Sequence, residues 1–150
     1  MSSGTTTLAG TETGAHEENY LTVKKTWLLT IDHKRLGIMY LGSILFFFLI
    51  GGLFAMVVRY ELLDAAPTLS AANYNKAFTL HGAIMVFLVL VPAIPASIGN
   101  FLLPLMIGAK DVAFPKLNLL SFWVYTFGSL FMIWTLVTGG IDTGWTFYTP

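Results

Sequence analysis

The sequence predicts an all-α protein, a polytopic bundle of transmembrane helices with three spans in these 150 residues. Its composition supports this prediction, because 55% of the residues are hydrophobic and only 11% are charged. A soluble domain carries about 25% charged residues, so this chain has less than half the usual means of solvating a surface. The charges are also unevenly placed: residues 36–58, 77–109 and 117–141 contain none.

Composition also excludes several classes of function. The chain has no cysteine, which rules out a disulfide scaffold, a zinc–thiolate site and a cysteine-ligated iron–sulfur cluster. Its formal net charge is zero and its basic residues do not cluster, so it lacks the electrostatic footprint of a nucleic-acid-binding protein. An integral membrane protein surrounded by lipid remains.

The N-terminal residues 1–29 are predicted to be a disordered or peripheral cytoplasmic tail, and residues 30–150 to be the membrane part. The first eighteen residues are rich in Ser, Thr and Gly and hold hardly any large apolar group, so they cannot bury enough surface to become ordered. They also lack the basic start and the short apolar region of a secretory signal peptide.

Each charge-free run is long enough to cross a bilayer, which takes about 20 helical residues. The first run predicts one span. The second is longer than one crossing and contains Pro92, Pro95 and Pro104, so we predict a helix over about 78–100, kinked near Pro92 and Pro95 and followed by a turn. The third run predicts the last span, and the three adjacent phenylalanines at 46–48 are expected to pack against lipid and neighbouring helices.

The Lys and Arg residues predict the orientation of the spans. Four lie in the N-terminal segment and two in the loop after the second run, whereas the first loop holds two. This excess of Lys and Arg, six against two, favours a cytoplasmic location for the N-terminus and for the second loop. Trp145, beyond the third run, then lies on the outer side, where an interfacial position is the default.

His81 is the most informative residue of the second run, because an ionisable side chain inside a membrane segment is costly unless it is paired, solvated or bound to a metal. Neutral imidazole is a common metal ligand and an axial ligand of haem iron. The alternative is a hydrogen bond to a neighbouring helix. Gly82 and Gly51 indicate close packing of a helix or a cofactor. Arg59 is either a snorkelling anchor or a donor to an oxygen of a bound cofactor.

A second group of polar residues lies at the opposite end of the spans. At about 1.5 Å per residue, His81 and Asn100 are separated by nearly the whole hydrocarbon thickness. Asp111 is interpreted either as a solvated turn carboxylate or as the entrance of a proton inlet. Uncharged hydrogen-bonding side chains that could hold a file of waters there are Asn100, Asn118 and Ser121. His16 and His33 are expected to be exposed surface residues.

Five stretches resemble a known family in order and spacing. They are DHKRLGIMY at 32–40, RYEL at 59–62, FTLHG at 78–82, GNFLLPLMIGAKDVAFPKLN at 99–118 and DTGWTFY at 142–148. Together they resemble the N-terminal portion of subunit I of the haem–copper terminal oxidases, most closely the cytochrome c oxidase type. The resemblance implies a subunit of about twelve spans. Departures are Leu119 after Asn118, Lys116 where the family usually has Arg, and Phe101 where Tyr or Trp is frequent.

The resemblance implies a role for each residue singled out above. His81 would be an axial ligand of a low-spin haem a, Arg59 would donate to its formyl group, Gly51 would make room for it, and Trp145 would lie near the haem propionates. Glu61 would be the acidic residue of an outer Ca²⁺ or Na⁺ site. The proton-uptake channel would open at Asp111, and its other members would be Asn100, Asn118, Ser121, Tyr40 and, near the mouth, His33.

The implied function is that of the catalytic subunit of a respiratory terminal oxidase. Electrons would pass through haem a to a haem–copper centre that reduces O₂ to water with coupled proton pumping. The ligands of copper B and of the high-spin haem lie outside this sequence. Implied partners are oxidase subunits II and III, and cytochrome c or a membrane-bound cytochrome c domain. A bacterial plasma membrane is favoured over the mitochondrial inner membrane. The alternatives are a ubiquinol oxidase of the same superfamily and a non-enzymatic membrane scaffold or channel module.

Overall fold

The computed structural model describes residues 27–63, 66, 68–139, 143–146 and 148. The chain separates into two compact units, Met1–Thr30 and Ile31–Pro150. Only residues 27–30 of the first unit are described, so the predicted tail over 1–29 stays a prediction and His16 lies outside the described residues. The second unit holds three helices that are long and apolar enough to cross a membrane. They confirm the predicted all-α class and its three spans.

Helix α1 spans His33–Glu61. Asp32 caps its N-terminus, because the Asp32 carboxylate accepts a hydrogen bond from the Lys34 backbone N–H at 3.0 Å. Arg59 lies in the last turn, where a cation interacts favourably with the unsatisfied carbonyls of the helix end. Helix α1 therefore extends beyond the charge-free run 36–58 on each side, and its two ends carry charged residues.

Helix α2 spans Ala71–Ile107 and is longer than the predicted 78–100. The Ser70 hydroxyl caps its start by accepting from the Asn73 N–H at 3.3 Å. The turn predicted after residue 100 is wrong, because α2 continues through Pro104 to Ile107. It ends at Gly108, whose φ of 68° is the left-handed conformation that glycine adopts readily.

The prolines of α2 do not end the helix, because its hydrogen-bond pattern changes around them. Two segments, Ile84–Leu90 and Ala93–Ile98, are π-helical, with backbone bonds that reach five residues back. The Leu88 carbonyl lies four residues before Pro92, which has no N–H to donate in an α-helical pattern. The Tyr125 hydroxyl donates to the Leu88 oxygen at 2.9 Å instead. A neighbouring helix therefore satisfies a backbone group that proline leaves free within the membrane.

Helix α3 spans Pro115–Val137, shorter at its C-terminal end than the predicted 117–141. Pro115 stands at its first position, where a missing N–H costs nothing. At the other end, the Thr138 N–H donates to the Trp134 carbonyl at 3.0 Å. Residues 140–142 lie outside the described residues.

The core of the unit forms along one face of α1. One cluster joins Leu36, Tyr40 and Ile44 of α1 to Phe122 of α3. A second cluster joins Phe47 of α1 to Ile84 and Leu88 of α2. The phenylalanine run behaves as expected, because the middle ring is 5% exposed whereas those at 46 and 48 are 54% and 53% exposed. The outward faces of all three helices carry large apolar side chains, as expected of segments surrounded by lipid or by further helices.

Candidate functional site

The predicted polar residues gather at two ends of the three-helix unit. We call the start of α1, the end of α2, residues 108–114 and the start of α3 the Asp111 end. The end of α1, the start of α2 and residues 143–146 are the His81 end. His81 and Asn100 lie in one continuous helix, nineteen residues apart, on opposite sides of its two π-helical segments.

At the Asp111 end, a buried histidine pairs with the carboxylate. The His33 Nδ1 lies 2.8 Å from Asp111 Oδ1, and the Asp32 Oδ1 lies 3.9 Å from the same nitrogen. An ionised carboxylate can only accept, so Nδ1 carries the proton of the 2.8 Å bond. His33 is 5% exposed, so the prediction that it is an exposed surface residue is wrong. The carboxylate of Asp111, 44% exposed, joins this pair to the solvent side.

The second pair is formed by two amides. The Asn118 Nδ2 donates to Asn100 Oδ1 at 2.6 Å, and the Asn100 Nδ2 donates to Asn118 Oδ1 at 3.3 Å. Asn100 Nδ2 also donates to the Ala96 carbonyl one turn earlier in α2. Asn100 is 5% exposed, so its polar atoms are satisfied inside the unit. The reciprocal bonds fix the end of α2 against the start of α3.

The third pair is formed by two hydroxyls. The Ser121 hydroxyl donates to the Asn118 carbonyl at 2.7 Å, which uses its single hydrogen. Ser121 Oγ is therefore the acceptor in its 2.8 Å contact with the Tyr40 hydroxyl, and Tyr40 is the donor. The Tyr40 ring is 2% exposed and packs at 5.1 Å against the Phe122 ring. All six residues predicted for the proton inlet are thus brought into three pairs at one end.

Sequence reasoning missed two residues of this end, Gly37 and Ser97. The Ser97 hydroxyl donates to the Gly37 carbonyl at 3.3 Å in a buried contact between α2 and α1. A signal was available, because Gly37 follows His33 by four positions and precedes Tyr40 by three, the spacing of one helix face.

At the His81 end, the histidine uses one ring nitrogen within the fold. Its Nδ1 lies 2.8 Å from the Gly51 carbonyl oxygen. A carbonyl can only accept, so Nδ1 carries the hydrogen, and in the neutral ring Nε2 is the nitrogen with a free lone pair. An Nδ1–H bond to a backbone carbonyl is the usual support of a metal-binding histidine. The predicted alternative, a bond to a neighbouring helix, is present and leaves the ligand role open.

At both glycines near His81, Gly51 and Gly82, other protein atoms occupy the space that a side chain would need. A Cβ at Gly51 would lie 2.9 Å from the Met85 Sδ, which indicates that Gly51 allows α2 to approach α1. A Cβ at Gly82 would lie 2.9 Å from the Trp145 Cβ. The structure therefore assigns Gly51 to helix packing, and its predicted role of making room for a haem stays a prediction.

Trp145 is held against the start of α2 by backbone and side-chain contacts. The N–H of the preceding Gly144 donates to the Thr79 hydroxyl at 2.9 Å. The Trp145 side chain lies over Gly82, the residue that follows His81 in α2, and Trp145 is 44% exposed. Its predicted position near the haem propionates stays a prediction.

Arg59 and Glu61 lie in the last turn of α1, at the His81 end. Arg59 is exposed and follows Gly51 by eight residues, a rise of about 12 Å along α1. The Glu61 carboxylate accepts from the backbone N–H groups of Thr68 and Leu69, at 2.9 and 3.0 Å, and from the Thr68 hydroxyl. Among the described residues, no group of three or more His, Cys, Asp or Glu side chains could hold a metal ion. Glu61 thus anchors the first loop, and its predicted Ca²⁺ or Na⁺ site stays a prediction.

Comparison with known proteins identifies the family to which the chain is similar. Residues 35–150 match the family model described as Cytochrome C and Quinol oxidase polypeptide I. The chain is 46% identical over 121 residues to cytochrome c oxidase subunit 1 of Thermostichus vulcanus, with 80% of this chain and 22% of the relative covered.

Two further relatives give the same result. Identity is 44% over 139 residues to cytochrome c oxidase subunit 1 of Bacillus subtilis, which covers 87% of this chain, and 43% over 127 residues to a probable cytochrome c oxidase subunit 1-alpha of Streptomyces avermitilis, which covers 83%. The chain spans 22% of the length of each. Because the family model covers most of the chain and the helices are those of a membrane protein, the chain belongs to the family of subunit I of the cytochrome c and quinol oxidases.

Proposed function

We propose that this chain is the part of a respiratory terminal oxidase that provides one axial ligand of a low-spin haem a and the inlet of a proton-uptake path. Membership of the oxidase family supports an oxidoreductase that contains haem and copper. The single observation that carries the inlet is the arrangement of the Asp111 end. Three hydrogen-bonded pairs of polar side chains lie there between helices that are otherwise apolar.

The residues of the His81 end fit a haem in their chemistry. His81 would supply Nε2 to the iron, because its Nδ1 is held by the Gly51 carbonyl. A haem held there would supply one-electron transfer between a donor and the oxygen-reducing centre. The Nδ1–H bond fixes the tautomer and the orientation of the imidazole ring. Arg59, exposed at the end of α1, would donate to a polar substituent of the macrocycle, and Trp145 would cover the site beside Gly82.

The residues of the Asp111 end would take up protons from one side of the membrane. The exposed carboxylate of Asp111 collects a proton, and its bond to His33 keeps it at the entrance. The amide pair and the Tyr40–Ser121 pair then provide alternating donors and acceptors that can order a file of waters. On the orientation given by the Lys and Arg residues, this entrance faces the cytoplasm.

The remaining parts of the reaction belong to the rest of the subunit and to its partners. Copper B, the high-spin haem and their ligands would lie in the roughly four-fifths of the relatives' length that this chain does not span. Subunits II and III, together with cytochrome c or a membrane-bound cytochrome c domain, would complete the complex. The bacterial origin of the relatives supports the plasma membrane as its location.

The test is spectroscopy and oxygen uptake of the full-length protein in its purified complex. We expect a low-spin haem band in the reduced-minus-oxidised spectrum and O₂ consumption with reduced cytochrome c as the donor. O₂ consumption with a quinol but not with cytochrome c would assign the protein to the quinol branch that the same family model covers. A complex without haem would overturn the proposal in favour of a membrane scaffold.

A further inference from the structure

Gly37 occupies the middle of the polar face that α1 presents at the Asp111 end. It is buried, four residues after His33 and three before Tyr40, and both neighbours belong to hydrogen-bonded pairs. Residues at this spacing lie on one side of a helix. A change at Gly37 therefore occurs between the His33–Asp111 pair and the Tyr40–Ser121 pair along α1.

The space above Gly37 is filled by α2. A Cβ at Gly37 would lie 2.8 Å from both Cε2 and Cζ of Phe101 and 3.3 Å from the Asn100 Cβ. The Phe101 ring is the far end of a side chain and can rotate away. The Asn100 Cβ is attached directly to the α2 backbone, so a side chain at position 37 would displace α2 itself. Ser97, one turn earlier, draws α2 to the same place through its bond to the Gly37 carbonyl.

The displacement would act on the amide pair. Asn100 is bound to Asn118 by two hydrogen bonds, the shorter at 2.6 Å, and these bonds join α2 to α3. Hydrogen bonds weaken steeply when distance and angle depart from their preferred values. A shift of Asn100 by a few tenths of an ångström would thus change the pair without removing any polar group.

We propose that Gly37 is a positioning residue of the proton inlet, and that its missing side chain sets the place of Asn100 in the file of polar groups. The inference rests on the proposed function, because it assigns Gly37 a part in proton uptake through the Asp111 end. It predicts that Gly37 acts through Asn100 and Asn118 and makes no contact with the proton itself.

The chain offers a matched control on the same helix. A Cβ at Gly42 would have no heavy atom within 4 Å. Gly42→Ala therefore makes the same chemical change in α1, including the same gain in helix propensity, without displacing α2. A difference between the two variants reports the contact at position 37.

The experiment measures proton uptake in the full-length oxidase complex, from a pH indicator during a single turnover and from the solvent isotope effect on steady O₂ consumption. For Gly37→Ala we expect proton uptake slower by about threefold to tenfold and a larger isotope effect, with the haem spectrum unchanged. Gly42→Ala should match the wild type. Wild-type uptake in Gly37→Ala, beside impaired uptake in Asp111→Asn, overturns this inference alone. Wild-type uptake in both Gly37→Ala and Asp111→Asn overturns the proposed inlet itself.

Two double variants separate positioning from loss of packing. In an Asn118→Ala background, Gly37→Ala should add no further slowing, because the pair through which Gly37 acts is already broken. An equal slowing in that background would overturn the inference. Gly37→Ala with Phe101→Leu removes the two nearest ring atoms and supports assembly if the single variant assembles poorly. Proton uptake should stay slow in this double variant, because the contact with the Asn100 Cβ remains. Full recovery of uptake would overturn the inference, because it would show that only the Phe101 ring mattered.

Discussion

The two ends of the three-helix unit use polar side chains differently. At the Asp111 end, side chains from α1, α2, α3 and the second loop bond to one another, and the buried members are at most 5% exposed. At the His81 end, side chains bond mostly to backbone groups: His81 to the Gly51 carbonyl, and Glu61 to two N–H groups and one hydroxyl of the first loop. One end is a set of mutual pairs, and the other is a set of separately anchored groups.

The difference teaches how each end responds to substitution. In a hydrogen-bonded pair, removal of one partner leaves the other polar side chain without its bond, so one substitution affects two side chains. At the His81 end, each side chain is anchored on its own, so a substitution removes one capacity and leaves the others. The predictions below test this contrast.

The largest effect is expected from His81→Leu in the full-length oxidase. Leucine has no ring nitrogen for iron, and it removes the side-chain donor to the Gly51 carbonyl. The low-spin haem band should disappear from the reduced-minus-oxidised spectrum, and O₂ consumption should stop. Phe87→Leu, an exposed change on the same helix, should keep both. A band of wild-type amplitude in His81→Leu would falsify the ligand assignment.

The second effect is expected from Asp111→Asn. Asparagine still fits beside His33 but cannot take up and release a proton, so proton uptake and turnover should fall about 10- to 100-fold with the haem spectrum unchanged. Asp32→Asn is the matched control, because asparagine caps a helix as well as aspartate and Asp32 lies 3.9 Å from the His33 nitrogen. Equal losses in both variants would mean that negative charge near His33, and not the Asp111 carboxylate, is what matters.

A smaller effect, on stability, is expected from Tyr125→Phe. The change removes the donor to the Leu88 carbonyl, whose α-helical partner would be Pro92. We expect a loss of about 1 kcal/mol in the free energy of unfolding, measured as a lower thermal midpoint of the purified complex. Tyr60→Phe, at a ring 68% exposed on α1, should leave the midpoint unchanged. An unchanged midpoint in Tyr125→Phe would show that another donor satisfies Leu88.

The smallest effect is expected from Glu61→Gln. Both N–H groups, of Thr68 and Leu69, donate to the same Glu61 oxygen, which the amide can keep, and the other oxygen accepts from the Thr68 hydroxyl. Because a neutral amide oxygen is a weaker acceptor than a carboxylate, the two N–H groups should exchange with deuterium slightly faster while haem content and turnover stay unchanged. Hydrogen exchange by mass spectrometry, with added Ca²⁺ or with a chelator, measures this. Slower exchange with Ca²⁺ in the wild type, abolished in Glu61→Gln, would favour the predicted cation site over a loop anchor held by hydrogen bonds alone.

Much of the fold could be predicted from the sequence, because long charge-free runs have few alternatives to membrane helices. The bounds of α2 could not be predicted. Proline suggested a bend followed by an end, and the groups that let the helix continue are distant in sequence: Tyr125 is 37 residues from the carbonyl that it satisfies. Local pattern does not reveal a donor on another helix.

The site shows the same limit at His33. Its neighbours Asp32, Lys34 and Arg35 are charged, so the local sequence favours a surface position. Its partner Asp111 is 78 residues away, and the fold brings the two together where α1 begins and the loop after α2 passes. The resemblance supplied the residues of the proposed inlet, but the hydrogen-bond partner of each one, and the close approach of α2 at Gly37, required the structure.

The π-helical segments of α2 have a consequence for the spacing of the two ends. Both lie between His81 and Asn100, and both of these residues face α1, at Gly51 and at Gly37. Removing one residue from Ile84–Leu90 would rotate the part of the helix beyond it by roughly a quarter of a turn relative to the part before it. Either the histidine or the amide would then turn away from α1. The number of residues in this stretch therefore keeps His81 and Asn100 on a common side of one helix.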